Sequence, residues 1–214
     1  MEKPTEFSAS MAFVDRPLAK VHKFYLSGEI KAPSEYVGVF ETIRNASEND
    51  VVVWHINSYG GDLFTAIQFM RTMAETKANI VASVEGACMS AATVVFLSAK
   101  NWEISKHSMF MFHNYSSGSF GKGGEMYDNI VHEREWSHKL WKDVYSGFLS
   151  DNEIQSILQN KDIWMSGEEV TKRLNNKFKK PVKKTKASQR KKAVSRWFSS
   201  TYEALDILMF RSYI

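Results

Sequence analysis

The chain has 214 residues, of which 43% are hydrophobic, enough for one domain plus an extension or at most two small domains. A single cysteine, Cys88, excludes an internal disulfide and a cysteine-based metal cluster, and suits a reducing compartment. The first ten residues lack the apolar centre of a secretory signal, and no apolar run reaches the roughly 18 residues of a membrane span. We therefore expect a cytoplasmic protein that does not contact membranes.

The net charge of +4 is distributed unevenly. Residues 1–170 contain 15 Lys+Arg and 22 Asp+Glu, a net charge of −7, whereas residues 171–214 contain 13 and 2, a net charge of +11. No basic face is visible in the body of the chain, which argues against a nucleic-acid-binding core. We expect the lysine-rich run 177–192 to be a solvated tail, with contact to nucleic acid or another acidic partner as the alternative.

Composition divides the chain into four segments. Residues 1–20 are expected to be a flexible lead-in, and residues 21–176 the folded domain. Residues 177–192 read as a lysine-rich linker that is disordered by itself. In residues 193–214, a short helix would place apolar residues on one face, namely Trp197, Tyr202, Leu205, Leu208 and Met209.

Apolar periodicity predicts an alternation of strands and helices in the first half of the folded domain. The first unit comprises the strand Lys23–Leu26, the helix Pro33–Ala46, the strand Val51–Ile56, the turn Ser58–Asp62 and the helix Leu63–Ala74. The last of these helices has an apolar face predicted at Phe64, Ile67, Met70 and Met73. The pattern then repeats as the strand Asn79–Val84, the turn Gly86–Met89 and the helix Ser90–Ala99. Successive strand-turn-helix units predict an α/β fold with parallel strands joined by crossovers.

The second half begins with two short strands, Trp102–Ser105 and Met109–His113. The glycine-rich segment Ser116–Gly124 is predicted to be a mobile or binding loop. It is followed by a long helix, a short helix and an extended piece, at Glu125–Leu149, Asn152–Leu158 and Ile163–Met165. Ser166-Gly167-Glu168-Glu169 matches a capping box for a last helix.

Ser90 is placed where a strand feeds a helix, a corner that can expose a hydroxyl group and aim backbone N–H groups at one point. A serine nucleophile needs a base and an orienting acid. We predict His113 as the base and then the general acid, and Asp162 as the residue that holds the imidazole tautomer, with Asp151 as the alternative acid. The backbone N–H groups of Gly61 and Ala91 would form the oxyanion hole. These residues predict acyl transfer.

The stretch from about Val21 to Leu174 resembles the proteolytic subunit of the Clp protease (ClpP), within the crotonase-like superfamily. Five motifs carry the resemblance and occur in the family order. They are Phe24–Ile30 (FYLSGEI), His55–Asp62 (HINSYGGD), Val84–Ala92 (VEGACMSAA), Met109–Asn114 (MFMFHN) and Asp162–Val170 (DIWMSGEEV).

The resemblance implies a crotonase/ClpP-like fold of repeated strand-turn-helix units, with Glu125–Leu149 as a protruding handle helix that joins two rings. The family's nucleophile, base, acid and oxyanion amides align with Ser90, His113, Asp162, Gly61 and Ala91. The loop that contains Ser116, Gly118 and Gly121 falls where the family binds its substrate as an added strand. The implied protein is a serine endopeptidase without a metal or cofactor of its own. It acts on polypeptides and forms homo-oligomeric rings, heptameric or double. A partner AAA+ unfoldase would be the component that uses ATP.

The sequence departs from the family pattern at Tyr59, where a proline is usual, and at Ala91, where bacterial ClpP has methionine. The Ser-Ala-Ala form resembles viral head-maturation proteases, and the family's closing Gly-Leu-Val-Asp pattern is missing. Three alternatives follow. They are a head-maturation protease that acts without an ATPase, a crotonase-type enzyme whose Gly61 and Ala91 amides polarise an acyl-CoA thioester, and a ring subunit with a degraded site.

Overall fold

The computed structural model describes the backbone of residues 18–178 and the side chains of residues 18–176. The fold given below is that of the compact unit that ends at Asn175. The predicted lead-in 1–20 and linker 177–192 lie almost wholly outside the described residues, and the predicted helical segment 193–214 lies entirely outside them. These three interpretations stay predictions.

The described chain contains six strands and six α-helices, which alternate from β1 to β4. The strands are β1 (Val21–Ile30), β2 (Val51–Gly61), β3 (Asn79–Met89), β4 (Asn101–Ile104), β5 (Met109–Phe112) and β6 (Ile163–Ser166). The helices are α1 (Val37–Arg44), α2 (Leu63–Glu75), α3 (Ala91–Leu97), α4 (Gly123–Tyr145), α5 (Asp151–Leu158) and α6 (Gly167–Phe178). A 3₁₀ turn, Pro33–Tyr36, precedes α1, so the predicted helix 33–46 begins as a tighter turn.

The strands form one sheet in the order β1-β2-β3-β5-β6, with β4 also paired to β3. All neighbouring strands are parallel except β5 and β6, which are antiparallel. Strand β3 forks, because Val81–Val84 pair with β4 whereas Ala87–Met89 pair with β5. The predicted α/β fold with parallel strands is confirmed.

Aromatic side chains fill the core between the sheet and the helices. Trp54 of β2 meets Phe69 of α2 edge to face, with ring centroids 4.8 Å apart. Phe112 of β5 meets Tyr145 of α4 in the same way at 5.5 Å. These four side chains are at most 2% exposed, and burial of such large rings is a dominant contribution to core stability. The ends of β5 and α4 are thereby fixed against each other.

Strands β2 and β3 run further than the apolar pattern predicts. The segments that were predicted as turns, Ser58–Asp62 and Gly86–Met89, lie almost entirely within these strands. Pairing continues there because Gly60 and Gly61 pair with the end of β1 after a register shift, and Ala87–Met89 pair with β5. Register shifts absorb the irregular backbone.

Helix α2 buries only Met73 of the four residues predicted for its apolar face, and Ile67 and Met70 are half-buried. Its buried side chains are Thr65, Ala66, Phe69, Thr72 and Met73. Phe64 is 67% exposed instead. The two threonines are tolerated inside because each hydroxyl donates to a backbone carbonyl, that of Lys31 for Thr65 and that of Gln68 for Thr72.

Two features of the C-terminal half differ from the predictions. Helix α4 ends at Tyr145, and Gly147 then turns the chain with a φ of 78°. The reciprocal capping box forms at Ser150 and Glu153, ahead of α5. At Ser166 the N–H of Glu169 does donate to the hydroxyl, but the Glu169 carboxylate accepts from Arg173. Within residues 18–178, no helix is long and apolar enough to cross a membrane.

Candidate active site

Ser90 occupies a strained corner between β3 and α3. Its φ of 54° and ψ of −130° are values that residues with a side chain seldom adopt, at a cost of about 1–3 kcal/mol. The Ser90 N–H donates to the carbonyl of Met111 at 2.9 Å, which ties the corner to β5. Strain of this kind is typical of a nucleophile held on a sharp strand-to-helix turn.

Gly60 makes the corner possible. A Cβ atom on Gly60 would lie 2.6 Å from the Cβ of Ser90 and 2.8 Å from the carbonyl oxygen of Met89. Its φ of 97° also favours glycine. The end of β2 therefore passes directly against the serine only because residue 60 has no side chain.

His113 follows β5 and reaches Ser90. Its Nε2 atom lies 2.6 Å from Ser90 Oγ, so with that nitrogen unprotonated the serine hydroxyl donates to it. Desolvation by burial lowers the pKa of His113 below its ordinary 6.5, and the charge of Asp162 opposes this in part. The imidazole is therefore mostly neutral at pH 7 and able to accept a proton.

The antiparallel pairing of β5 and β6 brings Asp162 beside His113. Phe112 pairs with Ile163. His113 directly follows Phe112, and Asp162 directly precedes Ile163. Asp162 is the carboxylate whose charge acts on His113, which favours it over Asp151 at the start of α5. Asp162 is exposed, and within the described residues no hydrogen bond joins its side chain to His113.

A cavity of about 570 Å³ opens at this corner. Five of the eight predicted site residues line it, namely Gly61, Ser90, Ala91, His113 and Ser116. Asp162, Gly118 and Gly121 are not among the lining residues. Within the side chains that the structure describes, no cluster of three or more His, Cys, Asp or Glu could hold a metal ion.

The two predicted oxyanion-hole residues flank Ser90 in this cavity. Gly61 has a φ of 144°, and a Cβ atom there would collide with the backbone of Ile30, so glycine is required. Ala91 is the first residue of α3, where backbone N–H groups have no partner within the helix. Both residues line the same cavity as Ser90.

A family model described as Clp protease matches residues 18–174. The chain belongs to the Clp protease family. No curated protein was found to match the chain. The resemblance inferred from the five motifs is confirmed, and the six-stranded sheet agrees with the ClpP-like fold. Family membership supports a ClpP-like serine peptidase.

The Clp-family site contains aromatic residues that the sequence patterns did not assign to it. Phe64 of α2 stacks on Trp136 of α4, with ring centroids 5.5 Å apart, and both rings line the cavity with Tyr115 and Trp141. Helical periodicity predicted Phe64 on the apolar face of α2. The one available signal was Asp62, which caps α2 and so marks Phe64 as a residue of its first turn, close to Gly61.

A buried hydroxyl pair supports the Ser90 corner of the Clp-family site from behind. Thr93 Oγ1 donates to the carbonyl oxygen of Ser90 at 2.7 Å and lies 2.9 Å from the hydroxyl of Tyr145. A threonine hydroxyl has one hydrogen, so Tyr145 is the donor in the second bond. No sequence pattern indicated this contact, because it joins α3 to the end of α4.

Proposed function

We propose that this Clp-family chain is a serine endopeptidase that cuts peptide bonds through an acyl-enzyme. The observation that carries the proposal is the 2.6 Å separation of His113 Nε2 and Ser90 Oγ at a strained corner that faces a cavity. A hydroxyl in this position can be deprotonated as it attacks, which an isolated serine cannot achieve at neutral pH.

In the acylation step, Ser90 Oγ attacks the carbonyl carbon of the scissile peptide bond while its proton passes to His113 Nε2. The N–H groups of Gly61 and Ala91 stabilise the negative oxygen of the tetrahedral intermediate. The protonated imidazole then donates to the leaving amine, and Ser90 is left as an ester. Asp162 stabilises the imidazolium through its negative charge.

Deacylation repeats the sequence with water as the nucleophile. His113 takes a proton from the water, the ester carbonyl is attacked, and the second product leaves as a carboxylic acid while Ser90 regains its proton. A polypeptide substrate would lie along the loop that contains Ser116, Gly118 and Gly121 as an added strand. The aromatic wall of the cavity would receive a side chain next to the cut bond.

The Clp protease family generally forms oligomeric rings with AAA+ partners, and we propose a homo-oligomeric ring, heptameric or double, for this chain. Helix α4 supports an intersubunit role because its first half leaves apolar side chains in water, among them Tyr127 (69% exposed) and Ile130 (51%). Light scattering at micromolar concentration tests the ring. A monomer would refute it.

A second candidate is a viral head-maturation protease with the same chemistry, suggested by the Ser90-Ala91-Ala92 sequence. Degradation of a folded, tagged protein that requires ATP and an added AAA+ unfoldase would support the Clp-type assignment. Cleavage of a purified scaffold protein without ATP would support the viral one. Binding of CoA in calorimetry, without peptide hydrolysis, would instead favour the crotonase-type alternative.

The nucleophile is tested with a fluorophosphonate probe and intact mass measurement. The unmodified protein should gain one probe mass, and Ser90→Ala should gain none. Ser98→Ala is the matched control, because Ser98 ends the same helix α3 and its hydroxyl donates to the Val94 carbonyl. Labelling of Ser90→Ala at the original rate would remove Ser90 from the mechanism.

A further inference from the structure

Asn114, the residue after His113, is hydrogen-bonded to the loop that carries Asp162. Its Nδ2 atom donates to Oδ1 of Asn160 at 2.9 Å, across 46 residues of sequence. Asn160 precedes Asp162 by two residues. One side-chain hydrogen bond thus joins the neighbourhood of the base to that of the acid.

The orientation of the Asn114 amide is fixed by its other contacts. Its Oδ1 atom accepts from the indole Nε1 of Trp141 at 2.8 Å and from the backbone N–H of Tyr115 at 3.0 Å. An indole nitrogen is a donor only, so the oxygen must face Trp141 and the amino group must face Asn160. Trp141 is 2% exposed and stacks on Tyr145 at 5.2 Å, which makes it a rigid anchor.

Asn160 is held by the end of α5. Its φ is 61°, its N–H donates to the Ile157 carbonyl, and the N–H of Lys161 donates to the Ser156 carbonyl. These bonds form a Schellman-type helix ending, in which glycine is the commonest residue and asparagine the next. The turn itself does not need an amide, so the side chain of Asn160 serves the contact with Asn114.

The backbone gives Asp162 little support of its own. Pairing between β5 and β6 ends at Phe112 and Ile163, one residue short of His113 and Asp162. The side chain of Asp162 is exposed. The amide pair lies just beyond the last paired residues and continues the connection between the two segments.

We propose that Asn114 and Asn160 form an amide clamp that positions Asp162 beside His113. The inference rests on the proposed peptidase function, which it deepens by assigning two positioning residues. Asn114 lines the cavity, but its amide is already engaged by Asn160, Tyr115 and Trp141. The clamp acts through Asp162, and its effect therefore falls on the chemical step and on the titration of His113.

Asn160→Gly tests the clamp, because glycine keeps the left-handed turn and removes the acceptor oxygen. Asn160→Asp is the conservative rescue variant, since it keeps an acceptor in the same place. For Asn160→Gly we expect kcat to fall about fivefold to tenfold, the effect of one modest hydrogen bond, with KM changed less than about twofold. Asn160→Asp should retain kcat within about twofold.

An NMR titration of the His113 imidazole gives a readout that does not depend on activity. The signal is assigned by its loss in His113→Gln. In Asn160→Gly the pKa of His113 should fall, because the charge of Asp162 that raises it is less firmly held nearby. In Asn160→Asp the pKa should not fall.

The clamp is wrong if Asn160→Gly titrates like the unmodified protein, or if both variants lower the pKa of His113 equally. A thermal melt of each variant excludes unfolding, which glycine in this turn should not cause. If the titration changes as expected but the unmodified protein neither reacts with the fluorophosphonate nor cuts peptides, the clamp stands and the peptidase function fails.

Discussion

The hydroxyl groups of Thr93 and Tyr145 lie 2.9 Å apart, and both side chains are completely buried. Burial raises the pKa of Tyr145 well above its ordinary value of 10, so its hydroxyl stays protonated and remains a donor. Thr93 in turn donates its hydroxyl hydrogen to the carbonyl oxygen of Ser90. The strained residue is therefore held by a hydrogen-bonded chain that begins in α4.

Thr93→Val should destabilise the protein although it preserves the side-chain shape. The change leaves the Tyr145 hydroxyl buried without a partner, which costs about 1–3 kcal/mol. Urea unfolding measures the loss. Adding Tyr145→Phe should recover part of it, because the unpaired hydroxyl is then gone. A Thr93→Val variant as stable as the parent would show that the hydroxyl pair contributes nothing.

Asp162→Asn should move the acid limb of kcat/KM to lower pH. Burial already lowers the pKa of His113 below 6.5, and removal of the opposing charge of Asp162 lowers it further. The base then stays unprotonated in more acidic solution. We also expect kcat to fall about 10- to 100-fold, because the imidazolium loses a nearby charge.

Initial rates across the pH range measure both effects, and Asp151→Asn is the matched control. Asp151 begins α5, whereas Asp162 follows its end. A shift of the acid limb towards higher pH in Asp162→Asn would contradict the assigned sign. An equal shift of the acid limb and an equal loss of kcat in Asp151→Asn would instead favour Asp151 as the orienting acid.

Gly60→Ala should abolish reaction with the fluorophosphonate probe. The new methyl group would lie 2.6 Å from Ser90 Cβ, so the corner must shift. The left-handed φ adds strain, and we expect a stability loss of about 2–3 kcal/mol. Gly38→Ala is the control, since Gly38 lies in α1 and a Cβ atom there meets nothing within 4 Å. A Gly60→Ala variant with normal labelling would show that β2 need not approach Ser90 closely.

Arg173→Gln should lower the free energy of unfolding more near neutral pH than in acid. Arg173 binds Glu153 through two nitrogens at 2.8 and 2.9 Å, and this contact lowers the pKa of Glu153 from 4.5 to about 2. The folded pKa is depressed, so the stabilisation is present above pH 4.5 and is lost as the pH falls towards 2. Solvent screening limits it to about 1–2 kcal/mol.

Urea unfolding of Arg173→Gln and of its parent, compared near neutral pH and in acid, tests the pair. Arg71→Gln is the control, because Arg71 is 75% exposed and pairs with Glu75 within one helix. That variant should change stability little. A difference between Arg173→Gln and its parent that stays constant with pH would refute the link to Glu153.

Local patterns in the sequence were enough to predict most of the strands and helices. The β-branched runs of β2 and β3 and the small residues after them placed Ser90 at the right corner. The face of α2 was misplaced because periodicity scores Thr65 and Thr72 as polar, whereas their hydroxyls donate to carbonyls inside the fold.

The contacts that complete the site join distant parts of the chain. Thr93 and Tyr145 are 52 residues apart, and Asn114 and Asn160 are 46 apart. Each pair depends on how helices pack and where a loop turns, which no local pattern encodes. The catalytic roles of Ser90, His113 and Asp162 stay predictions until the variants are measured.

The fork in β3 divides the sheet into two parts that are paired over unequal lengths. Strands β5 and β6 are attached to the rest of the sheet through Ala87–Met89, whereas β1, β2 and β3 are paired along most of their length. Local opening at that short seam would withdraw His113 and Asp162 together while Gly61 stays in place. Amide hydrogens of β5 should therefore exchange before those of β2. Mild heating should abolish the reactivity of Ser90 while most of the sheet is still intact.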